Sequence, residues 1–369
     1  MSTQDRSLTG GNRIVRCALL IVLILLGVIV AYLLLWPVPI KPVRYIPSRN
    51  PGMTGPFTQN EALVGVQHLI KGVGQGPEDV TSGSDGWFYT GLQDGRIVRF
   101  QPDRNDVETF VSTGGRPLGM QFDAEGNLIV ADAFKGLLSI SPTGVIQVLT
   151  DSVNGKQLLF PDDLDIASDG TIWFSDASQR FNQHNWILDF LETRPTGRLL
   201  SFDPKTGETK VRLDSLMFAN GVAVGPDDTY VLVNETIRAR IKRLWLKGPK
   251  AGQTDIFLDE LPAYPDNISF NKDGIFWVAL PSPRSKDMER FWPSPFLRKV
   301  LMRLPQSIRG AKPAPLYGWV IGVDTNGEVV HNLQDPKGNY GSITSVNEFD
   351  GWLYLGSVAM TSVGRFAVP

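Results

Sequence analysis

The sequence predicts an all-β body, a six-bladed β-propeller closed by its termini, carried behind an N-terminal transmembrane helix. Three observations predict it: one phrase recurs six times, a strand is missing after the last copy, and a spare strand precedes the first. The phrase is clearest at Tyr264-Pro265-Asp266-Asn267-Ile268-Ser269-Phe270, which runs through Lys272-Asp273-Gly274 into Ile275-Phe276-Trp277-Val278-Ala279. It reads as a polar turn, a short strand, an Asp-Gly hairpin turn and a strand of β-branched and aromatic residues.

The residues Ile14 to Trp36 are apolar except for Arg16, enough at 1.5 Å per residue to cross a hydrocarbon core of about 30 Å. The run is too long for a cleaved signal peptide and ends at Leu35-Trp36-Pro37 without a small-residue cleavage site. Residues 1–13 are expected as a cytoplasmic tail, 14–36 as the anchor, and 37–59, rich in proline, as a stiff spacer. Residues 60–369 form the propeller, placed in the periplasm, outside the cell or in a lumen.

The sibling phrases are Gly76-Pro77-Glu78-Asp79-Val80, Arg116-Pro117-Leu118-Gly119-Met120, Phe160-Pro161-Asp162-Asp163-Leu164, Phe218-Ala219-Asn220-Gly221-Val222 and Ser342-Ile343-Thr344-Ser345-Val346. Each is followed by an acidic turn, a second strand and a third; five continue into a fourth, and the sixth runs out of chain. Ala62 to Ile70 alternates as a strand ahead of the first copy and supplies the missing one. Closure of this kind removes exposed sheet edges. A β-sandwich or two separate domains would leave the missing and spare strands unexplained.

The chain carries 36 Lys+Arg against 38 Asp+Glu, a net charge of -2, which gives no electrostatic case for nucleic acid as a partner. Its one cysteine is Cys17, inside the anchor, so the body holds no disulfide.

In a propeller the first strand of each blade lines the axis, so the residues just before it converge at one end. Down the copies these are Glu78, Leu118, Asp162, Asn220, Asp266 and Thr344. Three carboxylates and an amide oxygen brought together disfavour mutual ionisation unless a proton or a cation intervenes. An all-oxygen set without His or Cys suits a hard ion, calcium before magnesium. The expected metal ligands are Glu78, Asp162, Asn220 and Asp266, with Asn267 and Asp163 placed to add an oxygen or to orient the ring.

The phrases Gly-Pro-Glu, Pro-Asp-Asp, Ala-Asn-Gly and Pro-Asp-Asn, in this order, resemble the calcium-dependent six-bladed propellers of the gluconolactonase, regucalcin and paraoxonase superfamily. Arg116-Pro-Leu-Gly, Val130-Ala-Asp-Ala-Phe-Lys-Gly136, Gly197-Arg-Leu-Leu and Glu235-Thr-Ile-Arg-Ala-Arg240 bring the likeness closest to its strictosidine synthase-like branch. The resemblance covers about residues 60 to 369 and implies Glu78, Asn220 and Asp266 as ligands, with Asp162 where the family usually has Asn. It departs from the family twice: the position of the synthase's catalytic glutamate is Thr344, and no histidine pair stands near the ring. His68 and His331 fall on outer strands.

Connections between second and third strands lie on the ring's side of the propeller. Two are long, Ala177 to Thr196 and Pro281 to Tyr317, and both mix apolar residues at helical spacing with polar ones. They are expected as a lid in which His184, Trp186, Phe291 and Trp292, with Leu118 and Thr344 below, face the substrate. The expected function is a membrane-anchored, calcium-dependent hydrolase of apolar or amphipathic lactones or aryl esters, with Asp266, or in its place Glu78, as general base. The alternative is a propeller that binds a ligand or partner and keeps calcium only as structure.

Overall fold

A computed structural model describes residues 7–104, 106–305, 307 and 315–369. Six four-stranded antiparallel sheets follow one another around an axis. Blade 1 is Val80–Ser82, Phe88–Gly91, Arg96–Phe100 and Val107–Ser112, and its pattern repeats with first strands Pro117–Phe122, Pro161–Ile166, Ala219–Val224, Ile268–Phe270 and Ile343–Phe349. The spare strand closes the sixth blade, but it is shorter than its alternation suggested. Only Gln67–Leu69 pairs with Val363–Ala367. The preceding residues turn away because the Leu63 N–H donates to the Gln334 carbonyl of blade 5 and its side chain is buried there.

The core is distributed by blade. Six clusters of buried side chains each fill one interface between neighbouring blades, and a seventh lies over the axis. The second strand of blade 5 shows how: Phe276 and Val278 point into the cluster shared with blade 4, while Trp277 and Ala279 point into the one shared with blade 6. Period-two alternation therefore divides apolar residues between two dry faces, which is why these strands read as continuous apolar runs.

The N-terminal helix runs Ser7–Leu35, seven residues longer at its start than the apolar pattern, so part of the expected tail is helical; residues 1–6 lie outside the described residues. Arg13–Leu35 has a mean hydropathy of 3.2 with none of its surface buried, a candidate membrane span. The expected spacer is not free. Residues 37–59 run as an extended strap over the ring's end of the propeller, with Ile40 and Phe57 buried. The Val43 N–H donates to Glu192 O at 2.9 Å and the Tyr45 N–H to Trp292 O at 3.2 Å. Proline stiffness and an apolar residue at every few positions suit a strap as well as a spacer, which is why composition did not separate them.

Blade 6 is pinned by Tyr340, fully buried, whose hydroxyl lies 2.7 Å from Leu355 O and 3.0 Å from Ser362 O. Tyr340→Phe leaves both buried carbonyls without that donor and is expected to cost about 1–3 kcal/mol, measured by denaturant unfolding of the detergent-solubilised protein.

Candidate metal site at the roofed end of the axis

Four of the six ring residues sit in β-bulges. In blades 2, 3 and 4 the pairing of first and second strands slips after Pro117, Pro161 and Ala219, and in blade 6 after Ile343. Each slip adds one residue to the first strand, so Leu118, Asp162, Asn220 and Thr344 lie in the bulges and are turned out of the ladder. Glu78 and Asp266 precede their strands, each held by its backbone N–H to Gly91 O and Ala279 O.

A second acidic column locks these bulges. Asp132, Asp176 and Glu235 end the second strands and are fully buried. Asp132 accepts from the N–H of Arg116, Asp176 from Phe160 and Glu235 from Met217, each at 2.9–3.0 Å. Arg198 pairs with Asp176, and Arg238 and Arg240 with Glu235. An acid at the same place in three copies was the readable signal for this column.

Glu78, Asp162 and Asn220 are almost wholly buried, and Asp266 is half-buried, the most open of the four. Burial, and then repulsion from Asp266 and Asp162, pushes the Glu78 carboxyl well above its ordinary range, with Arg116 opposing. Asp162 is raised well above its range by burial and by Asp266, again against Arg116. Burial lifts Asp266 to about 7 while a hydrogen bond with Asn220 opposes it. Three carboxyls thus resist charge together, the condition a bound cation relieves. Arg116, which sequence reasoning passed over, is a buried counter-charge; it donates to Gly76 O at 3.0 Å.

The fit to a hard cation rests on buried oxygens without partners: Glu78 Oε2, Asn220 Oδ1 and Asn267 Oδ1. Asn267 donates from Nδ2 to Glu78 Oε1 at 3.2 Å, so its amide steers Glu78 and leaves its own oxygen over. As the side chains are placed, no three His, Cys, Asp or Glu among the described residues stand close enough to share one ion. Asp163 points elsewhere: its carboxylate accepts from the Val222 N–H at 2.8 Å, stitching blade 3 to blade 4. Thr344 likewise donates its hydroxyl to Glu78 O at 2.8 Å, joining the last blade to the first.

Above the ring lies the seventh cluster, in which Leu118, Phe160, Phe218 and Tyr264 from the blade entrances meet Phe190 and Trp292 from the two long connections. Trp292 is fully buried and Phe291 half-buried, but His184 and Trp186 stay exposed at the rim. His184 packs on Phe134 with ring centroids 4.5 Å apart. The expectation that all four side chains face a substrate therefore divides: helical spacing selects the buried Phe190 of Ile187–Glu192 and turns His184 outward. Below the ring, an axial cavity of about 1280 Å³ opens at the opposite end, its inner wall formed by Asp79, Asp163, Asn267 and Ser345.

A closed ring of six blades with an acid- and amide-lined axial site beneath an apolar roof defines a six-bladed propeller with a candidate metal centre on its axis. Residues 162–249 match the strictosidine synthase family model and residues 55–100 the strictosidine synthase-like N-terminal model. The chain is 37% identical over 310 residues to the Arabidopsis thaliana protein STRICTOSIDINE SYNTHASE-LIKE 6, covering 82% of each, and it belongs to that strictosidine synthase-like family. It is 32% identical over 353 residues to the adipocyte plasma membrane-associated protein of Rattus norvegicus, covering 89% of this chain and 93% of that one. A gluconolactonase from Xanthomonas campestris shares the fold at TM-score 0.61 and 14% identity, covering 84% of this chain and 91% of that one. A calcium-binding regucalcin from Agrobacterium tumefaciens shares it at TM-score 0.56 and 12% identity, over 81% and 90%.

Within the roof, burial lifts the Asp189 carboxyl to about 7 against a hydrogen bond from Ser178 Oγ, 2.9 Å from Oδ1. The folded protein then holds a proton that the unfolded chain releases near pH 4, so stability falls as pH rises from about 4 to about 7. Asp189→Asn is expected to remove that fall, raising the thermal midpoint above the wild type's at about pH 8 and not at about pH 4.

Proposed function

We propose that the chain is a membrane-anchored hydrolase of lactones or aryl esters of apolar character, working with calcium held by Glu78, Asp162, Asn220 and Asp266. The single observation that carries this is the set of partnerless buried oxygens on Glu78, Asn220 and Asn267, aligned with carboxyls that cannot all ionise alone. The calcium-binding name of one neighbour and the lactonase name of another support the same reading. When bound, calcium supplies charge stabilisation for the oxyanion that develops as an ester carbonyl is attacked.

The chain's own residues then divide the remaining tasks. Asp266, the most open of the ring, takes the proton of the attacking water. Asn220 holds Asp266 in place, and Asn267 holds Glu78. Leu118, Phe190 and Trp292 exclude bulk water and favour an apolar acyl or aryl group. The tail lies in the cytoplasm and the propeller on the other side of the membrane. The asparagines of the sequons Asn234-Glu235-Thr236 and Asn267-Ile268-Ser269 are buried, which leaves no room for a glycan on either in the folded chain.

One observation favours the alternative of a binding propeller with structural calcium: the aromatic plug is built from the residues that lead into the ring, and three ring residues are themselves nearly wholly buried. A panel of lactones and aryl esters, assayed on the detergent-solubilised full chain with and without chelator, separates the two. The hydrolase reading expects chelator-sensitive turnover that falls at least about 100-fold in Asp266→Ala. Calcium that raises the thermal midpoint while no ester turns over would point to the binding propeller, and calcium that does neither would sink the ring as a metal site.

A further inference from the structure

Both helices over the site bury charged side chains and expose apolar ones, although the shorter also buries Phe190. In Pro295–Arg303 the buried side chains include Arg298 and Arg303, while Phe296 is 57% and Leu297 44% exposed. In Ile187–Glu192 the buried side chains include Asp189 and Glu192, while Ile187 is 41% exposed and the preceding Trp186 44%. A helix bordering water does the reverse.

The buried charges are engaged. Arg298 donates from Nη1 to Leu191 O at 2.8 Å and Thr193 Oγ1 at 2.7 Å, and from Nη2 to Val43 O at 2.5 Å and Trp292 O at 2.9 Å. It thereby ties both helices and the strap together. Glu192 accepts from the Lys41 N–H at 2.9 Å and pairs with Arg180 and Arg194. The outward apolar residues are therefore no misfolded core, because the inward charges are each tied to named partners.

The same face holds the end of the N-terminal helix. Arg303 donates from Nε to Trp36 O at 2.6 Å and from Nη1 to Leu33 O at 3.0 Å, capping carbonyls of the last turn. Trp36 and Leu35 are exposed beside it. An apolar helix of 23 residues thus ends on the surface that displays Phe296, Leu297, Trp186 and Ile187.

We propose that this roof is a membrane-docking face: the two helices lie in the interfacial layer of the bilayer that the N-terminal helix crosses. Aromatic and aliphatic side chains outward, with the exposed Lys299 among them, are what an interfacial helix offers lipid. The proposal rests on Arg13–Leu35 spanning the membrane and not on hydrolysis.

The test uses the full chain with Cys17→Ser, reconstituted in phosphatidylcholine vesicles, and single labelled cysteines at Ile24→Cys, Trp186→Cys, Phe296→Cys and Asp273→Cys. Asp273 is exposed at the opposite mouth and serves as the water reference. Spin-labelled lipids are expected to quench the probes at 186 and 296 at a depth of about 5–10 Å, the probe at 24 more deeply, and the probe at 273 not at all. Quenching at 24 with none at 186 and 296 would overturn the docking face while leaving the span intact. No quenching at 24 would overturn both. Probes at 186 and 296 shielded from water without lipid quenching would mean a protein partner instead, and also overturn it. Phe296→Glu with Leu297→Glu is expected to abolish quenching at 186 with the thermal midpoint in detergent unchanged.

Discussion

The structure depends on closing a ring of six sheets, and the seam lies where the last blade meets the first. There the Ser357 N–H donates to Pro77 O at 2.6 Å, Thr344 donates to Glu78 O, and Asn347 donates to Asp79 at 2.9 Å. Gly356 has no room for a side chain, since a Cβ would lie 1.9 Å from Glu78 O. Glu78 is thus both a ring carboxylate and the backbone that receives the closing blade. Site and closure share residues, so the geometry of the oxygens is fixed by the same contacts that remove the sheet edges.

The ring illustrates how a fold brings unfavourable groups together. Each carboxylate would be hydrated and charged on a loop, but a bulge aims Asp162, and the turns entering their strands aim Glu78 and Asp266, at one axis. The energy for this comes from elsewhere, from six apolar interfaces in which every second strand is buried on both faces. The second acidic column stabilises the bulges through backbone N–H groups that would otherwise be orphaned by the slipped pairing.

Much of this was legible in the residues. The repeat of Pro-Asp-Asn phrases and the displaced last strand specify closure, and the column from Glu78 to Thr344 can be read by aligning the copies. The bulges were not legible, because one extra residue leaves the local alternation unchanged beyond it. Nor was the division of labour between neighbours: Asp162 and Asp163 are identical in the sequence, yet one faces the axis and the other accepts from Val222. His184 misled because its connection does fold over the site, but its own turn of the helix faces out. The strap misled because proline and apolar content describe composition, whereas its docking depends on Glu192 and Trp292, more than a hundred residues away.

That strap alters what counts as the soluble part of this protein. A truncation drawn at the end of the proline-rich stretch would strip Ile40, Tyr45 and Phe57 from the surfaces they cover and leave Arg298 with one carbonyl fewer and Glu192 without the Lys41 amide. The boundary that respects the fold falls at Pro37, immediately after the helix. What looks like a tether is part of the propeller's wall, and the apolar helix ends with no slack between it and the blades.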